Sequence, residues 1–208
     1  MYSLSLLQEY KIKAVLKELP MTNILKLRIK IPDIKPGIWR EILIKNDITF
    51  KVLHEIIQLS FGWTNSHLYN FDVNGILFSM PDKEFENNDL DVKNKITEFL
   101  IEKGQKAFYT YDFGDNWEHE IKIVDVLKKE KGIRYPKCLD GRRNGPPEDC
   151  GGIPGYEDVI DALTGKDKSE HEDLLEWLGN YDPEKFDIDK INKAILNPGK
   201  YLFEDPDL

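Results

Sequence analysis

Tyr109-Thr110-Tyr111-Asp112-Phe113-Gly114-Asp115-Asn116-Trp117-Glu118-His119-Glu120 sets four aromatics, four acids and a histidine around one glycine. Its alternation predicts a strand, a tight turn at Gly114-Asp115-Asn116 and a second strand reaching about Leu127. On the second strand Trp117, His119, Ile121 and Ile123 share one face, while Glu118, Glu120 and Lys122 share the other. An acid-rich turn inside an aromatic hairpin is more than a fold element needs, so the stretch is read as part of a site.

Upstream, Ile24–Ile31 alternates cleanly, with Leu25, Leu27, Ile29 and Ile31 opposite Lys26, Arg28 and Lys30. Ile38–Lys45 returns after a Pro-Gly turn. Thr49 is placed to cap a helix over Phe50 to about Ser60 that ends at Gly62. His54 lies on its apolar side as a core histidine. His67–Val73 and Ile76–Met80 form a hairpin about Asn74-Gly75, a strong two-residue turn signal. Residues 81–91 read as an exposed loop, and Thr97–Lys103 as a helical turn ended by Gly104. Leu4, Leu7, Ile12, Val15, Leu16 and Leu19 predict an N-terminal helix stopped by Pro20.

Downstream, residues 135–155 carry five glycines, four prolines and both cysteines. The expectation is an ordered, shaped loop that folds back over the 109–120 hairpin to make one polar pocket. Helices follow: Tyr156–Leu163, one with a Ser169/Glu172 capping box that ends at Gly179, and one capped by Asp189 that ends at Leu196 before Asn197-Pro198-Gly199. His171 lies on the inward stripe of the second. Hairpins mixed with helices, without a βαβ rhythm, predict an α+β domain with a mainly antiparallel sheet and helices on one side or end. The chain divides into a helical extension at 1–21, the domain at 22–199 and an acidic tail at 200–208.

The 208 residues carry 29 basic and 38 acidic groups, a net charge of −9. Residues 1–100 balance at 13 of each, but residues 140–208 hold 8 basic against 18 acidic. The acidic half argues against nucleic acid, since affinity for a phosphate backbone rests on Lys and Arg. No stretch reads as a secretory signal or a bilayer span, so a cytoplasmic protein with reduced thiols and no membrane association is expected.

Several motifs together are similar to one known family: Trp39-Arg40, Leu53-His54, Phe61-Gly62-Trp63, His67-Leu68, Tyr111-Asp112-Phe113-Gly114-Asp115, Trp117-Glu118-His119, Tyr135-Pro136, Pro146-Pro147-Glu148-Asp149-Cys150-Gly151-Gly152 and Gly155-Tyr156. In this order they resemble the plasmid pRiA-type open-reading-frame-three-like family over about residues 24–197. Some of its members are labelled insertion-element passenger or TnpR-like proteins. The resemblance implies a compact α+β domain and a link to mobile elements; it implies no reaction. A resolvase needs a nucleophilic serine among several arginines, and the five arginines here include no such cluster.

The candidate pocket is Tyr111, Asp112, Asp115, Trp117, Glu118, His119, Arg142, Glu148, Asp149, Cys150 and Tyr156. Three chemistries use it. A metal ion is one candidate cofactor, with His119, Cys138, Cys150 and His171 as ligands of suitable type. No Cys-x-x-Cys or His-Glu-x-x-His spacing supports them, and the two cysteines are twelve residues apart. A hydrolase would pair Asp112 or Asp115 with Glu148 or Asp149 as acid and base. A binding module would line a groove with Trp63, Tyr69, Tyr111, Phe113, Trp117 and Tyr156, and hold an acidic group on Arg142 and Arg143. Binding of a protein or small ligand demands the least specific chemistry and is the leading expectation.

Overall fold

The computed structural model of the chain describes residues 23–80, 89–166 and 168–203. The expected N-terminal helix, most of the 81–91 loop and the end of the acidic tail lie outside them.

Eight strands form one sheet: β1 (Asn23–Ile31), β2 (Ile38–Lys45), β3 (Tyr69–Val73), β4 (Ile76–Ser79), β5 (Leu90–Asp91), β6 (Lys106–Tyr111), β7 (Trp117–Lys128) and β8 (Lys137–Arg142). Their order is β5-β4-β3-β6-β7-β1-β2-β8, and every pairing is antiparallel except that of β5 with β4. Among the described residues the five helices are α1 (Phe50–Phe61), α2 (Gly152–Thr164), α3 (Glu172–Leu178), α4 (Ile188–Ile195) and α5 (Pro198–Phe203). This is the α+β architecture expected.

Period-two patterning decides which face of the sheet is covered. Leu25, Leu27, Ile29 and Ile31 of β1, Tyr109 and Tyr111 of β6, and Trp117, Ile121 and Ile123 of β7 are all buried. They join Phe50, Leu53, Ile57 and Phe61 of α1 in one apolar core, which also takes in residues of α2 and α4. The opposite face carries the charges. Glu41 lies 2.6 Å from Lys26, and Glu120 takes Lys106 at 2.6 Å and Lys30 at 3.2 Å. The basic stripe of β1 is thus answered by acids on its neighbours.

Local chemistry sets the boundaries. Thr49 Oγ1 accepts from Val52 N at 3.2 Å, as its position predicts, and the helix ends at Gly62. Asn74 and Gly75 have φ of 54° and 80°, the pair of left-handed residues that a two-residue hairpin turn requires.

Elsewhere the structure corrects the expectation. The cap of α4 is Asp187, whose Oδ1 accepts from Lys190 N at 2.9 Å, and Asp189 lies inside the first turn. A 3-10 turn at Ser169–His171 precedes α3, so the helix proper begins at Glu172. The helical turn near Thr97 is a 3-10 turn at Ile96–Glu98. Leu196 and Asn197 separate α4 from α5, and Pro198 takes the first helical position, where its missing N–H costs nothing.

The 135–155 stretch is not irregular throughout. It contains β8 and the first turn of α2, leaving 143–151 as the true loop. β8 is an edge strand, and α4 covers its edge. Cys138 N donates to Asn192 Oδ1 at 2.8 Å, while Asn192 Nδ2 donates to Cys138 O at 3.0 Å.

Candidate functional site

Three segments meet at one end of the sheet: 62–68 between α1 and β3, the 112–116 turn, and 143–151. A buried polar network fixes the first. His54 Nε2 lies 2.6 Å from Asn65 Oδ1, an acceptor, so it carries the ring proton. His54 Nδ1 then accepts from Tyr109 Oη at 2.8 Å, and that hydroxyl accepts from Gln58 Nε2 at 3.0 Å. Gln58 Oε1 in turn accepts from Asn65 N at 2.9 Å. The His54 ring stacks on Tyr69 with centroids 3.5 Å apart. Burial pushes the His54 pKa down to about 4, so the ring is neutral at ordinary pH.

The second and third segments are tied to the first through Glu148. Its Oε2 accepts from Thr64 N at 2.9 Å and from Thr64 Oγ1 at 2.6 Å, and its Oε1 accepts from Tyr111 Oη. Tyr111 Oη also accepts from Ser66 N at 2.9 Å. Trp63 Nε1 donates to Pro146 O at 2.9 Å. Asp115 Oδ2 accepts from Gly151 N at 3.1 Å. The loop therefore does fold back over the hairpin. A side chain at Gly152 (φ +69°) would meet Asp115 O at 2.5 Å, and one at Gly145 would strike the Phe61 carbonyl, so both glycines are demanded by close approach.

Where the segments meet, His67 Nε2 lies 2.9 Å from Asp149 Oδ1 and 3.7 Å from Asp112 Oδ2. The buried nitrogen is not aligned for a hydrogen bond with either. The ligand-type atoms of the three residues lie within 4.8 Å of one another, and among the described residues they are the one such group of His, Cys, Asp or Glu. Asp112 is buried, His67 is half-buried, and the Asp149 side chain is 69% exposed. Asp112 (φ 55°), Asp149 (φ 60°), Asn65 (φ 62°) and Asn116 (φ 56°) are all left-handed. Asn and Asp tolerate that region best, and non-glycine residues held there concentrate at functional sites.

Of the expected pocket, Asp112 and Asp149 thus join a cluster, and Tyr111, Asp115 and Glu148 hold its frame. The others sit elsewhere. Glu118 is exposed on the charged face of β7, and Arg142 is exposed at the end of β8. Trp117 and Tyr156 are core residues. His119 is fully buried; its Nδ1 donates to Trp117 O at 3.0 Å, and Phe61 and Trp63 stand edge-on to its ring at 4.8 and 5.2 Å.

The expected metal ligands are not drawn together. Cys138 lies beneath Asn192, Cys150 has Sγ 4.0 Å from Gly152 O, and His171 lies at the start of α3. Burial lifts the Cys138 and Cys150 thiols to about 11 and about 12, which disfavours the thiolate a metal needs. The aromatic groove is corrected too: Trp63, Tyr69, Tyr111, Trp117 and Tyr156 are buried, and only Phe113 of that set is exposed. Arg143 is also taken, with Nη1 donating to Pro36 O at 3.0 Å and Nε 2.7 Å from Glu184.

Sequence reading left His67 out of the candidate site, placing it at the start of a strand and, with Leu68, among the motifs of the family resemblance. The polar run Thr64-Asn65-Ser66-His67 between a helix stop and an apolar strand was the available signal.

A family profile described as plasmid pRiA4b ORF-3-like protein matches residues 23–190. The uncharacterized protein y4hQ of Sinorhizobium fredii is 34% identical over 179 residues, covering 84% of this chain and 92% of its own. A crystal structure of a protein of unknown function from Methanosarcina mazei Go1 matches with a TM-score of 0.72 and 34% identity, over 81% of this chain and 97% of the other. Among the described residues, no helix is long and apolar enough to cross a membrane.

Proposed function

The chain belongs to the plasmid pRiA4b ORF-3-like family, and on that premise we propose that it binds a small ligand through a divalent cation held by His67, Asp112 and Asp149. The convergence of those three ligand atoms within 4.8 Å carries the reading. Donors that share an ion at about 2.0–2.2 Å stand at most about 4.4 Å apart, so a small rotation of the exposed Asp149 side chain completes the set. One imidazole with two carboxylates and no thiolate suits Mn²⁺, Fe²⁺ or Zn²⁺. Three protein ligands leave coordination positions for an oxygen-bearing ligand. Its apolar part would rest on Leu68 and Phe113, the chain neighbours of His67 and Asp112, which are 64% and 52% exposed.

Isothermal titration of the tag-free protein with Mn²⁺ and Zn²⁺ tests this. One saturable site that is lost in Asp112→Asn supports the reading; no saturable site, or one indifferent to that change, sinks it.

A second reading, metal-dependent hydrolysis, is favoured by the exposure of Asp149, which opens the cluster to solvent. A bound water would then lose its proton near neutral pH and become the nucleophile. Glu148 would serve as part of the frame, since both its oxygens accept hydrogen bonds. Turnover of p-nitrophenyl esters or phosphates that follows added metal and is absent in Asp112→Asn would select this reading.

A further inference from the structure

A second place in the fold holds a buried cation with no carboxylate beside it among the described residues. Arg40 points inward from β2 and is 2% exposed. Its Nε donates to Ser60 O at 2.7 Å, and its Nη1 donates to Trp39 O at 2.9 Å and Arg142 O at 3.0 Å. The guanidinium carbon lies 4.8 Å from the Phe61 ring centre and 5.2 Å from that of Phe186. All three bonds go to carbonyl dipoles. Among the described residues no carboxylate pairs with Arg40, and its three hydrogen bonds use Nε and Nη1, which leaves Nη2 free to face the cavity. Burial lowers the Arg40 pKa only to about 10, which leaves the cation intact at neutral pH. Buried charges are ordinarily paired with an opposite charge, and carbonyl dipoles alone leave this one able to take an anion from the cavity side.

Arg40 lines a cavity of about 120 Å³ between α1, the 144 region and α4. Lys185 and Lys190 add two cations to its lining. Asp187 is the one acid there, and its Oδ1 is spent on the cap of α4. The remaining walls include Leu59, Phe61, Trp63, Phe186 and Ile191. The volume approaches that of a cavity able to take a benzene-sized body, about 150 Å³. Free phosphate is strongly hydrated and would gain nothing from such walls.

We propose that this cavity binds a small carboxylic acid with an apolar body, its carboxylate on Arg40 Nη2 and the two lysines and its body against Phe61, Trp63 and Phe186. The site is independent of the metal cluster and stands or falls separately.

Isothermal titration of the full chain with benzoate, hexanoate, benzyl alcohol and inorganic phosphate decides it. Lys185 and Lys190 are exposed, so Lys185→Glu/Lys190→Glu keeps the fold, with thermal melting as the check. The expected result is one-to-one binding of at least one of the two carboxylates. The alcohol should bind at least about tenfold more weakly, as should that carboxylate to the double variant. Arg40→Lys keeps the charge but cannot hold three carbonyls and still present a donor, so it should weaken carboxylate binding likewise; if it fails to fold, the double variant still decides. Saturation by neither carboxylate, equal binding of the alcohol, or binding of phosphate alone would each overturn the proposal.

Discussion

Glu148 and Thr64 are joined twice, the carboxylate Oε2 accepting from both the backbone N at 2.9 Å and the hydroxyl at 2.6 Å. With Tyr111 Oη on the other oxygen, one side chain pins two loops and a strand end. Burial first, and then Glu148, raises the Tyr111 phenol far above its usual range, so the hydroxyl remains the donor in that bond.

Replacing Glu148 by Gln turns one acceptor oxygen into a donor and leaves Thr64 or Tyr111 without its partner. A loss of about 1–3 kcal/mol is expected from urea unfolding, together with weaker metal binding as Asp149 loses its anchor. Unchanged stability would show the latch to be idle.

His67→Gln and Cys150→Ser separate the cluster found from the ligand set expected. The histidine change should abolish the metal-dependent rise in Tm, and the cysteine change should leave it intact. A saturating ion at about a hundred times its Kd stabilises the wild type by about 2.7 kcal/mol, enough for a clear thermal shift.

His54 and His119 are both held near pKa 4 by burial, while in the unfolded chain each titrates near 6.5. Between those values the unfolded chain binds protons that the folded one refuses. Stability is therefore complete above pH 6.5 and falls toward pH 4 by up to about 1.4 kcal/mol per pH unit for each histidine. Urea unfolding at pH 7, 6 and 5 measures the slope, and His54→Gln should reduce it by about half.

Gly145→Ala sets a methyl group against the Phe61 carbonyl and must push loop 143–151 off α1. A cost of about 1–3 kcal/mol is expected, with reduced metal affinity because Asp149 rides on that loop. Retained affinity would show that the loop moves freely of its acid.

Much of the scaffold could be read along the chain. The alternation of β1, the Thr49 cap and the Asn74-Gly75 turn are local signals, and each element formed where its signal stood. The misses share a cause. β8 is short, bulged against β2 and covered on its edge by Asn192, so no period-two pattern marks it. Asp187 and Asp189 are both plausible caps, and only the backbone decides between them. Asp112 and Asp149 were identifiable because acids crowd their loops. His67 was not, since its role comes from loops 45 and 82 residues away meeting it in space. The buried aromatics read equally as groove or core until packing places them.

The side-chain amide of Asn192 imitates a passing strand, giving and taking one hydrogen bond at Cys138. A bare outer strand is a template on which another chain can add, the first step of sheet-to-sheet polymerisation. Here the molecule supplies its own decoy, fixed on a neighbouring helix and too small to be extended. That stopper lets the protein carry a wide, eight-stranded sheet without offering this border to its copies.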